Sequence, residues 1–451
     1  PVREEKRLPG GLKERCLASL PFELTEDQRT VVEEIGRDLA GAAPMNRLLQ
    51  GEVGSGKTLA ALLSALPLIE AGYQAAFLPP TELLARQHAD NAARLLEPLG
   101  LHIAFLSGGL QASGRTPLLE ALEAGEIDLA VGTHALFTED VRFHALQLVI
   151  IDEQHKFGVQ QRARMVAKGE NPDLLLMTAT PIPRTLTLTL FGDLAVSSIR
   201  TLPPGRKPVI THLARQSNQE KVYEAVRTEL QRGHQAYFVY PRIEEGSDSL
   251  KDAERMSRML EEEVYPEFSV ALIHSRVGED EKKRRMEAFT RGEVQALVST
   301  SVVEVGVDVP NATCMVIEHA ERFGLAGLHQ LRGRVGRGAA QSYAFLVYGD
   351  ELSEEGKQRL LTMKNTADGF RIAEEDLKLR GPGELAGTRQ SGFLRFNFAD
   401  LTVDTELVEQ ARRDAFRIAG EDPGLLQPEH RGLREILERC PPFPEELFAG
   451  G

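Results

Sequence analysis

Arg47-Leu48-Leu49-Gln50-Gly51-Glu52-Val53-Gly54-Ser55-Gly56-Lys57-Thr58-Leu59 is the stretch that decides the fold. Arg47–Gln50 reads as a strand, and an apolar run with helical character opens at Leu59. Between them, Gly51 to Thr58 fits GxxxxGK[ST], and the strand before and helix after are the context that pattern demands. Glycines let backbone N–H groups wrap phosphate oxygens, and a helix N-terminus adds its positive dipole end. Gly51, Gly54, Ser55 and Gly56 are therefore the candidate phosphate cradle. Lys57 is placed to reach β and γ phosphates, and the Thr58 hydroxyl to hold Mg²⁺.

Outward from this loop, short apolar β-rich runs alternate with helix-like stretches. In the first half they are Ala75–Leu78, Ile103–Leu106, Leu129–Gly132, Leu148–Asp152 and Leu174–Met177. In the second half they are Val209–Leu213, Gln235–Tyr240, Val270–Ile273, Ala296–Ser299, Cys314–Ile317 and Tyr343–Val347. Continuous Val/Leu/Ile/Phe runs with helices between them indicate parallel sheets covered on both faces, hence two consecutive α/β domains. Leu202-Pro203-Pro204-Gly205-Arg206-Lys207-Pro208 is the linker, because its prolines and glycine interrupt any periodic pattern. The expected division is a lead-in over 1–26, α/β domains over 27–200 and 201–349, and a helical region with a Pro-rich tail over 350–451.

Composition narrows the functions. Fifty-three basic and 67 acidic side chains give a net charge of −14 over 451 residues, so nucleic acid is not coated through bulk charge. Tryptophan is absent and aromatics are 6%, a thin basis for stacking single strands. Cys16, Cys314 and Cys440 offer no zinc spacing or disulfide framework, which suggests a reducing, cytosolic setting. The apolar run Leu59 to Ile69 is too short to span a bilayer, so no membrane is expected. The start at Pro1 reads either as processing or as the C-terminal part of a longer protein.

Two further constellations carry chemistry. Asp152-Glu153 ends the run Leu148-Val149-Ile150-Ile151, where a side chain can face a bound nucleotide. Asp152 would hold Mg²⁺ and Glu153 would orient and deprotonate the attacking water. Alone, an Asp-Glu pair is a solvated strand end; downstream of a phosphate loop it is a site candidate. Gln330-Leu331-Arg332-Gly333-Arg334-Val335-Gly336-Arg337 lies in a stretch from Arg322 to Gly338 with four arginines and no acid. Arg334 and Arg337 are candidate arginine fingers from the second domain, the plain alternative being a solvated basic helix face.

With these residues in view, the chain resembles the superfamily 2 helicases. Gln50-Gly51…Lys57-Thr58, Asp152-Glu153-Gln154-His155, Thr178-Ala179-Thr180 and Gln330…Arg337 are similar to their motifs I, II, III and VI. Phe22-Glu23-Leu24-Thr25-Glu26-Asp27-Gln28 resembles the adenine-reading segment, which implies that Phe22 packs near the base and Gln28 bonds its edge. Pro80–Ala85 resembles motif Ia, Gly132-Thr133-His134 motif Ib, and Ser299-Thr300…Glu304…Asp308 motif V. More narrowly, Asp152–Arg162, Met177–Leu186, Leu202–Pro208 and Glu318–Gly324 are similar to the RecG family of branched-DNA translocases. Asp376–Gly392 resembles the TRG element that this family shares with the transcription–repair coupling factor.

The resemblance implies two tandem RecA-like parallel-sheet domains followed by a helical-hairpin TRG region. It implies ATP and Mg²⁺, catalytic roles for Lys57, Glu153, Gln330, Arg334 and Arg337, and coupling through Thr178, Thr180 and Thr300. The expected activity is ATP-driven remodelling of stalled forks and Holliday junctions in repair and recombination, by a cytoplasmic, nucleoid-associated monomer. Branched duplex DNA is the expected partner, with a single-stranded-DNA-binding protein as a second. The family's N-terminal wedge domain is not in this sequence. DNA contacts would be concentrated, the candidates being Arg86, Arg184, Arg206, Lys207, Arg380 and Arg389. Two other readings are a motor serving RNA polymerase, and a nucleotide-gated DNA-binding module without a motor stroke.

Overall fold

The computed structural model describes residues 5–109, 112–153, 157, 159–181, 194–203, 206–241, 248–274, 276–300, 309–380 and 405–439. The first sheet holds β1 (Asn46–Gly51), β2 (Gln74–Leu78), β3 (Ile103–Leu106), β4 (Leu129–Gly132), β5 (Leu146–Ile151), β6 (Asp173–Thr178) and β7 (Ala195–Ile199), in the order β3-β4-β2-β5-β6-β1-β7. The second holds β8 (Ile210–Arg215), β9 (Gln235–Tyr240), β10 (Val270–Ile273), β11 (Ala296–Thr300), β12 (Ala312–Ile317) and β13 (Tyr343–Tyr348), in the order β10-β11-β9-β12-β13-β8. Strand neighbours in both run parallel.

The first lobe's helices are α1 (Gly11–Ser19), α2 (Glu26–Ala40), α3 (Lys57–Glu70), α4 (Glu82–Leu96), α5 (Ala112–Glu123) and α6 (Val159–Val166). The second lobe adds α7 (Gln219–Gln231), α8 (Asp248–Met259), α9 (Glu279–Thr290) and α10 (Leu325–Arg332). After β13 come α11 (Glu354–Asn365), α12 (Gly369–Arg380), α13 (Thr405–Glu421) and α14 (Arg431–Arg439).

Period-two alternation explains the apolar strand runs. Along β5, Leu148 and Ile150 join one apolar cluster while Val149 and Ile151 join the cluster on the opposite face. Along β9, Tyr237 and Val239 separate in the same way from Ala236, Phe238 and Tyr240. Both faces of each sheet are thus buried, as parallel sheets require. Parallel strands bind ligands beyond their carboxyl ends.

β7 has no such run. Ser197 and Ser198 interrupt it, yet it pairs with β1 at the sheet edge. A polar network holds it: buried Ser197 accepts from Arg47 Nη1 at 2.7 Å and donates to Glu34, and Arg47 also pairs with Asp38. The lead-in differs from its expected linker character too. α1 buries Leu12 and Cys16 in the first lobe's core, and Glu70 accepts from the Leu12 N–H at 2.9 Å. Lys6 pairs with buried Asp173 at 3.3 Å.

α11 and α12 are tied to the second lobe by Arg332. Its Nη1 donates to the Met363 and Thr366 carbonyls at 2.9 and 2.8 Å, and its Nη2 to the Ala367 carbonyl at 3.1 Å. Among the described residues no helix is long and apolar enough to cross a membrane.

Candidate nucleotide site between the lobes

α3 starts at Lys57, and Gly56 before it takes φ +89°, a left-handed conformation natural to glycine. A Cβ there would collide with the Gln28 amide, which instead donates to the Ser55 carbonyl at 2.8 Å. Gln28 also accepts from the Thr25 N–H at 2.9 Å, closing a capping box at the start of α2. The expected adenine-reading glutamine is thus buried and braces the phosphate loop. Phe22 lies 53% exposed and is not among the cavity's lining residues.

A cavity of about 400 Å³ opens where the lobes face each other. Lobe one lines it with Gly54, Gly56, Lys57, Thr58, Asp152, Glu153 and Ala179; lobe two contributes Gln330, Arg334 and Arg337. The sequence-derived catalytic set therefore converges on one space. Gly51 and Ser55 complete the loop beneath it, with Ser55 fully buried. Lys57 Nζ donates to the Gly51 and Glu52 carbonyls, both at 2.8 Å. Burial lowers its pKa to about 8, against the opposing pull of Asp152 and Glu153.

The two carboxylates are held in different states. Burial pushes Asp152 up, but His88 and Lys57 outweigh it and keep the group below the usual carboxylate range. Burial and the Asp152 charge push Glu153 up. Such separation suits a metal-side carboxylate beside a proton-accepting one. Glu153 has φ +49°, an uncommon conformation for a non-glycine residue, and its Oε2 accepts from the Ala179 N–H at 3.4 Å. Thr178 and Thr180 hydroxyls lie 3.0 Å apart beside that residue, at the end of β6 that meets the Glu153 carboxylate.

Burial, with Arg337 adding like charge, lowers the Arg334 pKa to about 10. Arg337 Nε donates to the Gly333 carbonyl at 3.4 Å. Among the described residues no cluster of three His, Cys, Asp or Glu side chains could cage a metal. A single ionised carboxylate and a hydroxyl, Asp152 and Thr58, fit Mg²⁺, which keeps waters and shares its coordination with phosphates.

The DNA and coupling candidates are dispersed. Arg86 is exposed and stacks over Phe105 at 4.7 Å from the ring centroid. Thr300 is buried at the end of β11. Arg184, Arg389, Gln154, His155, Glu304 and Asp308 lie outside the described residues, as does the Arg380 side chain. Arg206 departs from its expected place on DNA. Its Nε donates to the Gly336 carbonyl at 2.9 Å and its Nη1 to the Val53 carbonyl, so its charge faces the lobe junction. Sequence reading also missed His88, whose Nε2 stands 3.5 Å from Asp152 Oδ2. The signal was a polar face on α4, where Gln87, His88 and Asn91 line the same cavity. Glu52 was missed as well: it accepts from the Gly369 N–H at 2.8 Å and so joins the phosphate loop to the start of α12.

Paired parallel-sheet lobes with this seam define the helicase core of the DEAD/DEAH class. Residues 25–189 match the DEAD/DEAH box helicase family, and residues 218–339 match the helicase conserved C-terminal domain. The chain is similar to the RecG helicases: residues 366–439 match the C-terminal part of RecG domain 3, and its curated relatives carry that name. The ATP-dependent DNA helicase RecG of Treponema pallidum is 56% identical over 92% of this chain and 62% of that protein. That of Thermotoga maritima is 49% identical over 96% of this chain and 55% of that protein. A solved structure of RecG bound to a three-way DNA junction matches at TM-score 0.76 and 46% identity, covering 90% of this chain and 53% of that one. The chain thus spans a little over half of these relatives' length.

Proposed function

We propose that this chain is the motor of an ATP-dependent DNA translocase that remodels branched duplex DNA. The carrying observation is that Lys57, Asp152 and Glu153 from one lobe share a cavity with Arg334 and Arg337 from the other. Lys57 would leave its loop carbonyls for the β and γ phosphates, and Glu153 would accept the proton of the attacking water. Mg²⁺, when bound through Thr58 and Asp152, neutralises developing phosphate charge. Arg334 and Arg337 stabilise the transferring phosphoryl group, and its loss removes the reason for the lobes to stay closed.

DNA as substrate draws support from the relatives' names, and a branch in that DNA from the three-way junction bound by the solved RecG. The coupling roles of Arg86, Thr178, Thr180, Arg184, Thr300, Arg380 and Arg389 belong to the same proposal. So do action as a monomer, residence at the nucleoid and recruitment by a single-stranded-DNA-binding protein, all resting on family resemblance. ATP turnover measured without DNA, with linear duplex and with a three-way junction tests the reading. Stimulation in that order, with triplex displacement on plain duplex, is the expected result. Nucleotide binding without DNA-stimulated turnover would instead indicate a gated DNA-binding module.

A further inference from the structure

We propose that Arg206 is a positioning residue that fixes the second lobe's arginines against the phosphate loop. The inference rests on reading the interlobe cavity as the hydrolysis site. One guanidinium leaves the interdomain linker and donates in two directions. Its Nε bonds the Gly336 carbonyl of lobe two, and its Nη1 bonds the Val53 carbonyl of lobe one. The Gly336 carbonyl belongs to the peptide that leads into Arg337. The Val53 carbonyl belongs to the peptide that leads into Gly54 of the phosphate cradle. The planar fork of arginine suits two fixed acceptors on different bodies.

The surroundings are shaped for this contact. Gly54 has φ +77°, and a Cβ on it would collide with the Arg206 guanidinium. A Cβ on Gly336 would stand 2.8 Å from Val209 Cγ2, so glycine lets the linker lie against the loop it bonds. A Cβ on Gly333 would stand 3.0 Å from Val53, so the two loops already touch beside the guanidinium. The linker is also fixed upstream, where Asp27 Oδ2 accepts from the Arg200 and Thr201 N–H groups at 2.8 Å each. The hinge is thus tied at its start to α2 and at its end to both loops of the site. Separating the lobes must break at least one Arg206 bond. While both hold, Arg334 and Arg337 keep their register with Lys57.

The test compares wild type with Arg206→Gln and Arg206→Lys. ATP turnover is measured at saturating three-way junction, affinity with N-methylanthraniloyl-ADP, and backbone hydrogen exchange without nucleotide. Arg206→Gln should lower kcat about tenfold, as loss of one transition-state alignment contact does. Its fluorescent-ADP affinity should fall much less, by no more than about twofold, because the loosened loop keeps Lys57 and every N–H group that meets the phosphates. Arg206→Lys should recover part of kcat, since it keeps a donor without the fork. Exchange should quicken over both 51–58 and 333–338 in Arg206→Gln. An unchanged kcat overturns the proposal, as does unchanged exchange in either loop. A fall of kcat in step with fluorescent-ADP affinity also overturns it, by placing Arg206 in nucleotide binding. A wild type that does not hydrolyse ATP sinks the functional reading; the exchange arm needs no nucleotide and then decides Arg206 alone.

Discussion

The two lobes repeat one turn and use it differently. In lobe one, β5 ends at Ile151, and the Asp152 N–H still bonds the Leu78 carbonyl of β2 at 2.9 Å before Glu153 turns left-handed at φ +49°. In lobe two, β12 ends at Ile317, and the Glu318 N–H bonds the Val239 carbonyl of β9 at 2.9 Å before His319 turns left-handed at φ +48°. Each lobe therefore carries an acid and then a strained residue at the same strand end. What differs is the strand that enters from the side. β1 delivers Gly51 to Lys57, whereas β8 runs into Gln216–Asn218 and α7, without a glycine. Asp152 and Glu153 face an open cavity; Glu318 is buried against Gln219 at 2.7 Å and Tyr223 at 3.5 Å. Backbone strain at a strand end is common to both lobes, so it does not by itself make a catalytic site. The glycine loop that β1 delivers opposite Asp152 and Glu153 is what the second lobe lacks.

That contrast orders the expected effects of substitution. Removing the cradle's charge should cost most: Lys57→Ala should lower DNA-stimulated ATP turnover by at least about 1,000-fold, since cradle and fingers act together. Residual turnover within tenfold of wild type would show that the loop does not bind the reacting phosphates. Arg334→Ala comes next, with a loss on the order of 1,000-fold in kcat, the lower range for arginine fingers. Fluorescent-ADP affinity should barely change, because ADP has no γ phosphate for Arg334 to meet. Glu153→Gln should lower kcat about 100-fold, in the range of a lost general base. It should still bind nucleotide, and equal loss of binding and turnover would contradict its role.

Most of this was legible in the chain wherever local pattern and structure share a cause. β5 and β9 declared themselves because burial on both faces demands an unbroken apolar run. The phosphate loop declared itself because its glycines answer a backbone need. β7 was hidden, since its edge position is held by Arg47, Glu34 and Ser197, residues far apart in sequence. Arg332 and Arg334 stand in one arginine cluster, where the sequence singles out Arg334 as a candidate finger and assigns Arg332 no role. The structure gives Arg332 three carbonyls of the α11–α12 connection and leaves Arg334 lining the cavity. Arg206 read as a DNA contact because sequence reveals a charge but not the carbonyls that will face it. His88 was missed for the same reason: its meeting with Asp152 exists only once α4 and β5 are packed.

The smallest effect probes the silent member of the duplicated turn. Burial raises the Glu318 pKa, outweighing the Gln219 and Tyr223 hydrogen bonds, with His319 and Glu321 as its charged neighbours. A carboxyl whose folded pKa is raised favours the folded state while it is protonated. That contribution is present below the unfolded carboxyl value and is lost as pH rises through the folded one. Glu318→Gln keeps a hydrogen-bonding side chain of the same shape and removes the titration. Its Tm should therefore match wild type in mild acid and exceed it at neutral pH, the gap opening as pH rises through the raised Glu318 value. ATP turnover should stay within about twofold of wild type, because independent sites with no shared partners act additively. A Tm gap that ignores pH would mean that folding does not raise the Glu318 pKa, and a large fall in turnover would mean that the second turn is not silent after all.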